Sequence, residues 1–135
     1  MSKATSEEFD PAAEHKVIHI MEHQKAVTTK GATMRLGAYP AHLKSGTIAR
    51  KAYKDKQISE RHRHRFEVNN NNVPQLEEAG LDFSGTSPDG RLMEIAELPT
   101  SKHPFFLGTQ FHPEFLARPL SPHPLFSAFI KACLR

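Results

Sequence analysis

Cysteine and tryptophan are nearly missing from this chain. Among 135 residues there is one Cys, Cys133, and no Trp. A single cysteine excludes an internal disulfide and a four-ligand Cys/His zinc site of the finger type. It fits a reducing compartment without requiring one. Long apolar runs are also missing, and no stretch approaches the roughly 20 residues of a bilayer-crossing helix. The first ten residues are polar and acidic, without the apolar centre of a secretory signal. Charge of one sign is scarce, since 18 Lys and Arg face 15 Asp and Glu for a formal +3. That excess is too small to argue for nucleic acid by itself. Hydrophobic residues reach only 38%. That is below the roughly 45–50% of ordinary globular domains, so a core is possible but thin.

What the chain does have is 9 His, 10 Pro and 9 Phe, many of them in tight clusters. The length suits one ordinary domain. Residues 1–16 are polar and aperiodic and read as a loose lead-in. Residues 17–21 form a short apolar island of uncertain type. Residues 34–43, with Gly37 and Pro40 inside, suit an irregular or edge strand. Residues 47–53 read as a short helix and 58–68 as a strand. That strand would set Arg61, Arg63 and Arg65 on one face and His62, His64 and Phe66 on the other. Asn72 can cap a helix starting near Pro74, with Leu76 and Ala79 inward and Gly80 as its stop. Residues 81–84 and 91–98 flank Ser87-Pro88-Asp89-Gly90, a strong turn signal, and read as a hairpin. Residues 105–111 are a continuous apolar run that suits a buried strand. Residues 124–134 read as an amphipathic helix whose stripe is Phe126, Phe129, Ile130, Cys133 and Leu134.

Three clusters can carry chemistry. In Gln110-Phe111-His112-Pro113-Glu114-Phe115 an apolar strand ends in a stiff turn. His112 and Glu114 emerge there two residues apart. A carboxylate beside an imidazole sets its tautomer and raises its basicity, as a general base requires. Taken alone, a His-x-Glu pair is structural more often than catalytic, and no nucleophile adjoins it. The second cluster is Glu60-Arg61-His62-Arg63-His64-Arg65. It reads as a solvated strand face, as an anion pocket built on Arg forks, or as a nucleic-acid contact. Residues 44–65 hold eight Lys and Arg against two acids, a local +6. Only Tyr53 and Phe66 are near as stacking groups, which weakens the nucleic-acid reading. His62 and His64 are spaced to share a metal, but no third ligand is in view. The third cluster, Thr33-Met34-Arg35-Leu36-Gly37, offers one Arg on a strand and reads as structural.

These clusters, in this order, resemble the C-terminal part of the glutamine-hydrolysing CTP synthases. The stretches that carry the resemblance are EFDP at 8–11, GATMRLG at 31–37, ERHRHRFEVN at 60–69, QFHPEF at 110–115 and HPLF at 123–126. It runs from about residue 5 to the end of the sequence. The resemblance implies an α/β fold: part of a class I glutamine amidotransferase domain of flavodoxin-like type, a mixed sheet with flanking helices, its N-terminal half absent. Residues 17–135 would be the C-terminal half of that domain.

The resemblance also implies a chemistry. In that family a Cys–His–Glu triad forms a thioester with glutamine and releases ammonia, which reaches a synthetase domain where Mg-ATP activates UTP. The product is CTP, and GTP is an allosteric effector. His112 matches the base, Glu114 the acid that orients it, and Arg65 a residue of the L-glutamine pocket. The nucleophile elbow, the oxyanion loop and the synthetase domain with its ATP and UTP sites have no counterpart in these residues. Cys133 does not match the nucleophile and is expected to be a buried structural thiol. Departures from the family pattern are Lys16, Ala32 and Phe66, the last without the phenol hydroxyl often found there. The expected protein is cytoplasmic and inactive alone. It binds no cofactor or metal itself and belongs to a homo-oligomer, a tetramer in the family, when the full chain is present. The rival readings are a non-catalytic module that pairs with a full-length enzyme or a separate first half, and a basic nucleic-acid binder.

Overall fold

The computed structural model describes residues 3–20 and 34–134. Met21 and residues 31–33 of the GATMRLG stretch lie outside the described residues. The strands are β1 (Ala4–Ser6), β2 (His15–Ile20), β3 (Arg35–Leu43), β4 (Gln57–His64), β5 (Phe66–Val68), β6 (Asp82–Thr86), β7 (Met93–Glu97) and β8 (Leu107–Thr109). The helices are α1 (Ile48–Tyr53), α2 (Val73–Glu78) and α3 (Pro124–Cys133). A small sheet has the order β1-β2-β5, with β1 parallel to β2 and β5 antiparallel to it. A larger antiparallel sheet has the order β4-β3-β6-β7-β8.

Local chemistry accounts for most of these elements. Along β4 Ile58, Glu60 and His62 are buried while Ser59, Arg61 and Arg63 are exposed, the two-residue period of a strand with one covered face. Pro40 sits in β3 where only β4 lies alongside, because β6 pairs with β3 at His42 and Leu43 alone. Its missing N–H therefore costs no ladder bond on the open side. The Thr47 hydroxyl caps α1 by accepting the Arg50 N–H at 3.1 Å. β6 and β7 form the expected hairpin.

Several expectations are corrected. The lead-in is not loose throughout, because residues 4–6 pair with residues 15–18. The strand expected over 58–68 breaks at Arg65, and its second part joins the other sheet. Ala79 is exposed rather than inward. The apolar run 105–111 yields only the three-residue β8 at a sheet edge. Phe111 is buried there, yet Phe106 is 49% exposed. The α3 stripe also faces solvent: Phe126, Phe129, Ile130 and Leu134 are exposed, and so is Cys133, which is therefore not a buried thiol. Leu125 is the residue by which α3 joins the core.

The core is small and unusually polar. Ala41, Leu43, Ala49, Ile58, Ile95, Phe111 and Leu125 form its apolar cluster. Four glutamates, Glu60, Glu67, Glu94 and Glu97, are each no more than 3% exposed. A buried carboxylate must find donors or lose its charge. Glu97 takes the backbone N–H groups of Ile48 and Ala49 at 2.5 and 3.1 Å, at the positive end of α1. Glu60 accepts the Tyr53 hydroxyl at 2.7 Å and lies 2.9 Å from His123 Nε2. Glu94 takes both terminal nitrogens of Arg35, at 3.1 and 2.8 Å. Glu67 lies 3.3 Å from the same guanidinium. Burial alone would lower the Arg35 pKa, but the Glu94 hydrogen bonds and the two carboxylate charges raise it.

Arg35→Met is expected to strand two buried carboxylates at once and to destabilise the fold by about 3–5 kcal/mol in urea unfolding. Arg35→Lys should recover only part of this, since an ammonium cannot make the two-pronged bond to Glu94. An unchanged unfolding midpoint in the Met variant would show that the guanidinium does not hold these groups.

Candidate active site

The end of β8 leads into the first cluster. The Thr109 hydroxyl donates to the Phe111 carbonyl at 2.8 Å, and Gln110 N–H donates to the Glu94 carbonyl at 2.9 Å. Two residues later His112 N–H donates to the Arg61 carbonyl of β4 at 2.9 Å. The backbone of His112 is thus tied to β4, and that of Gln110 to β7. Pro113 then opens a single 3-10 turn over Pro113–Phe115. This turn folds Glu114 back, so that His112 Nδ1 lies 2.8 Å from Glu114 Oε1. The imidazole stacks on Phe115 with centroids 4.8 Å apart and an interplanar angle of 17°.

A carboxylate only accepts, so Nδ1 carries the proton and Nε2 keeps its lone pair. Glu114 is held below the usual carboxylate range, first by the His112 hydrogen bond and then by a backbone bond. The pair is open, with side chains 38% and 56% exposed, so a reactant could reach Nε2 without the core moving. A cleft of about 400 Å³ between Leu36, Gly37, Arg61, His62, Arg63 and Phe115 adjoins the stacked rings. A larger groove of about 600 Å³ runs between α1 and α3 and holds neither His112 nor Glu114.

His112 and Glu114 are therefore brought together as expected. Arg65 is placed apart from them, half-buried in the break between β4 and β5. It lies four residues beyond Arg61, roughly 13 Å along an extended chain. Among the described residues its guanidinium makes no hydrogen bond or ion pair. The break has a local cause. His64 Nδ1 lies 3.0 Å from the Phe66 carbonyl, and this bond spans Arg65. His64 Nε2 in turn lies 2.8 Å from His62 Nδ1. A carbonyl only accepts, so His64 donates from Nδ1, and with both rings neutral its Nε2 accepts from His62 Nδ1–H.

That relay was not foreseen, nor was the buried Glu60–His123–Tyr53 group. The signal available was parity: His62 and Glu60 share a face with apolar Ile58, and a polar residue on an inward face needs a partner. Among the described residues no group of three or more His, Cys, Asp or Glu is placed to hold an ion.

The glutamine amidotransferase class-I family model matches residues 7–132. The chain belongs to the class I glutamine amidotransferase family, and its fold is part of that domain, with mixed strand pairing and flanking helices. Within the family it is most specifically similar to CTP synthases. It is 58% identical over 134 residues to the CTP synthase of Rubrobacter xylanophilus, covering 99% of this chain and 24% of that one. It is 55% identical over 130 residues to the CTP synthase of Dehalococcoides mccartyi, covering 96% of this chain and 24% of that one. Its structure resembles the glutaminase domain of Trypanosoma brucei CTPS with bound acivicin, with a TM-score of 0.87 and 37% identity. That match covers 98% of this chain and 51% of the other. The chain thus spans about a quarter of the length of the curated relatives it matches. Among the described residues no helix is long and apolar enough to cross a membrane.

Burial pushes His62 down to about 3, helped by the charges of Arg35, His64 and His112. Burial also pushes His64 down to about 4, against the raising effect of the Phe66 bond. Burial pushes Glu67 up to about 7 despite Arg35. Below pH 6.5, the ordinary histidine value, the unfolded chain takes up two protons that the fold refuses. Glu67 works the other way, because the fold already holds its proton while the unfolded chain takes one only below about 4.5. The unfolded state is ahead by one proton between those limits. Stability should fall by about 1.4 kcal/mol for each unit of acidification from pH 6.5 to 4.5. His64→Gln keeps a donor for Phe66 and an acceptor for His62, and should flatten that slope. Urea midpoints across this range test both statements, and a flat profile for the parent chain would contradict neutral, buried histidines.

Proposed function

We propose that this chain supplies the general base, its orienting acid and a substrate-binding arginine to the glutaminase site of a CTP synthase. The observation that carries this reading is the 2.8 Å contact between His112 Nδ1 and Glu114 at an open, stiff strand end. It leaves Nε2 with a free lone pair, which is what activation of a thiol requires. Three elements of the sequence support the family roles: His112 for the base, Glu114 for the acid, and Arg65 for the glutamine carboxylate. An unpaired guanidinium suits that carboxylate because its fork matches two oxygens.

On this reading a thiolate outside these residues attacks the side-chain amide carbon of glutamine. His112 Nε2 accepts the thiol proton and then delivers it to the departing ammonia, while Glu114 stabilises the imidazolium formed between the two steps. Water, deprotonated by the same nitrogen, would cleave the thioester to glutamate. The chain's only cysteine, Cys133, lies on α3 and has no part in this. The 135 residues by themselves should therefore release no ammonia from glutamine.

The remaining functions are proposed for the whole enzyme: amination of UTP driven by Mg-ATP, GTP as effector, assembly into a homo-oligomer, and a cytoplasmic setting.

In the full-length polypeptide His112→Ala should lower glutamine-dependent CTP formation by about 10²–10⁴-fold and leave ammonia-dependent formation intact. Glu114→Ala should show the same selectivity with a smaller loss. Arg65→Ala should raise the glutamine KM more than it lowers kcat. Equal loss with both nitrogen sources would refute the role of His112, and an unchanged glutamine KM would remove Arg65 from the pocket.

A further inference from the structure

The turn that delivers Glu114 also delivers Phe115. A 3-10 turn has three residues per turn, so side chains at i and i+3 stand over one another. His112 caps the turn Pro113–Phe115, and the Phe115 N–H closes it by donating to the His112 carbonyl at 3.0 Å. The backbone that joins the two rings therefore stacks them, with centroids 4.8 Å apart and 17° between planes. Phe115 is itself tied on its far side, where Arg118 Nη1 donates to its carbonyl at 3.2 Å. The hydrogen bond to Glu114 cannot orient the imidazole by itself. It fixes one ring atom, Nδ1, and leaves the ring free to swing about that atom. It is also open to competition from water, because the Glu114 side chain is 56% exposed. The face of Phe115 supplies what one bond lacks, a fixed ring plane and through it a fixed direction for the Nε2 lone pair. Phe115 also lines the cleft beside Leu36, Gly37, Arg61 and Arg63.

We propose that Phe115 is a positioning residue for the His112 base, its ring holding the imidazole in the plane from which Nε2 meets the thiol and then the departing ammonia. The proposal rests on the reading of His112 as that base. The requirement is a flat face and not apolar bulk alone. A leucine at 115 fills much of the same space but offers no face, so the imidazole would keep its bond to Glu114 and lose its plane. A tyrosine keeps the face where it is. Proton transfer depends steeply on the alignment of donor and acceptor, so the loss of the plane falls on the chemical step. A ring that instead held glutamine in the cleft would show itself in substrate binding.

The test measures glutamine-dependent and ammonia-dependent CTP formation by the full-length polypeptide. The variants are Phe115→Leu, Phe115→Tyr, His112→Ala, and Phe115→Leu combined with His112→Ala. Phe115→Leu should lower kcat with glutamine by about 10-fold and leave the glutamine KM and the ammonia-dependent rate unchanged. Phe115→Tyr should recover most of that loss. In the His112→Ala background Phe115→Leu should cost nothing further, because a ring that acts through the imidazole then has nothing to orient. The proposal is overturned by an unchanged kcat in Phe115→Leu, by a rise in KM alone, by a tyrosine variant as slow as the leucine one, or by a loss of about 10-fold that persists without His112. An equal loss with ammonia would overturn it in favour of a purely structural ring. A His112→Ala variant without selective loss on glutamine would end the catalytic reading and this proposal together. A selective His112→Ala beside an unaffected Phe115→Leu would end this proposal alone.

Discussion

The Arg35 guanidinium is shared by two buried carboxylates that belong to different sheets. Glu94 lies on β7 of the larger sheet and Glu67 on β5 of the smaller one. Desolvating either acid without a cation costs several kcal/mol, so the two sheets cannot separate without exposing an unpaired charge. Both sides of the candidate site hang on this arrangement. The Glu94 carbonyl receives Gln110 N–H, two residues before His112. Glu67 lies two residues after Arg65. One guanidinium thus sets the depth of the strand that presents the candidate base and of the strand that follows the candidate glutamine ligand.

The neutral histidines complete that arrangement. Charged rings at His62 and His64 would place more positive charge beside Arg35, and burial together with Arg35 keeps both rings unprotonated. The effect is reciprocal, since a charge at His112 also disfavours charge on the pair. The relay has a structural consequence as well. By reaching over Arg65 to the Phe66 carbonyl, His64 ends one strand and starts another. Arg65 is left outside both ladders, and among the described residues its guanidinium has no partner.

Much of this fold could be read from the sequence wherever local rules decide. The β6–β7 hairpin followed from its Ser-Pro-Asp-Gly turn, and α1 was read over 47–53, of which the structure makes Thr47 the cap. The alternation of β4 set Arg61 and Arg63 on one face, and the structure makes that face the exposed one. What escaped was decided by contacts across the fold. The break at Arg65 depends on a histidine bond and on Glu67 turning toward Arg35, and neither leaves a trace in local propensity. The burial of Glu60, Glu67, Glu94 and Glu97 was not foreseen, because their partners, Arg35, Tyr53, His123 and the α1 backbone, come from distant segments. The His112–Glu114 pair was legible because it is local, a two-residue spacing closed by Pro113. Arg65 drew its role from resemblance alone, and among the described residues its guanidinium is unpaired and makes no contact with that pair.

The exposed stripe of α3 shows how periodicity can be right about the element and wrong about its surroundings. The spacing of Phe126, Phe129, Ile130 and Cys133 specifies a helix with an apolar face, and that helix is present. Amphipathicity says that such a face is to be covered, but not by what. Here the core takes Leu125 and leaves the stripe outside. The core closes around paired charges, and Phe126, Phe129, Ile130 and Leu134 of α3 are left exposed. Among the described residues β8 is the margin of the larger sheet, so His112, three residues further on, stands at the sheet's border and not within it.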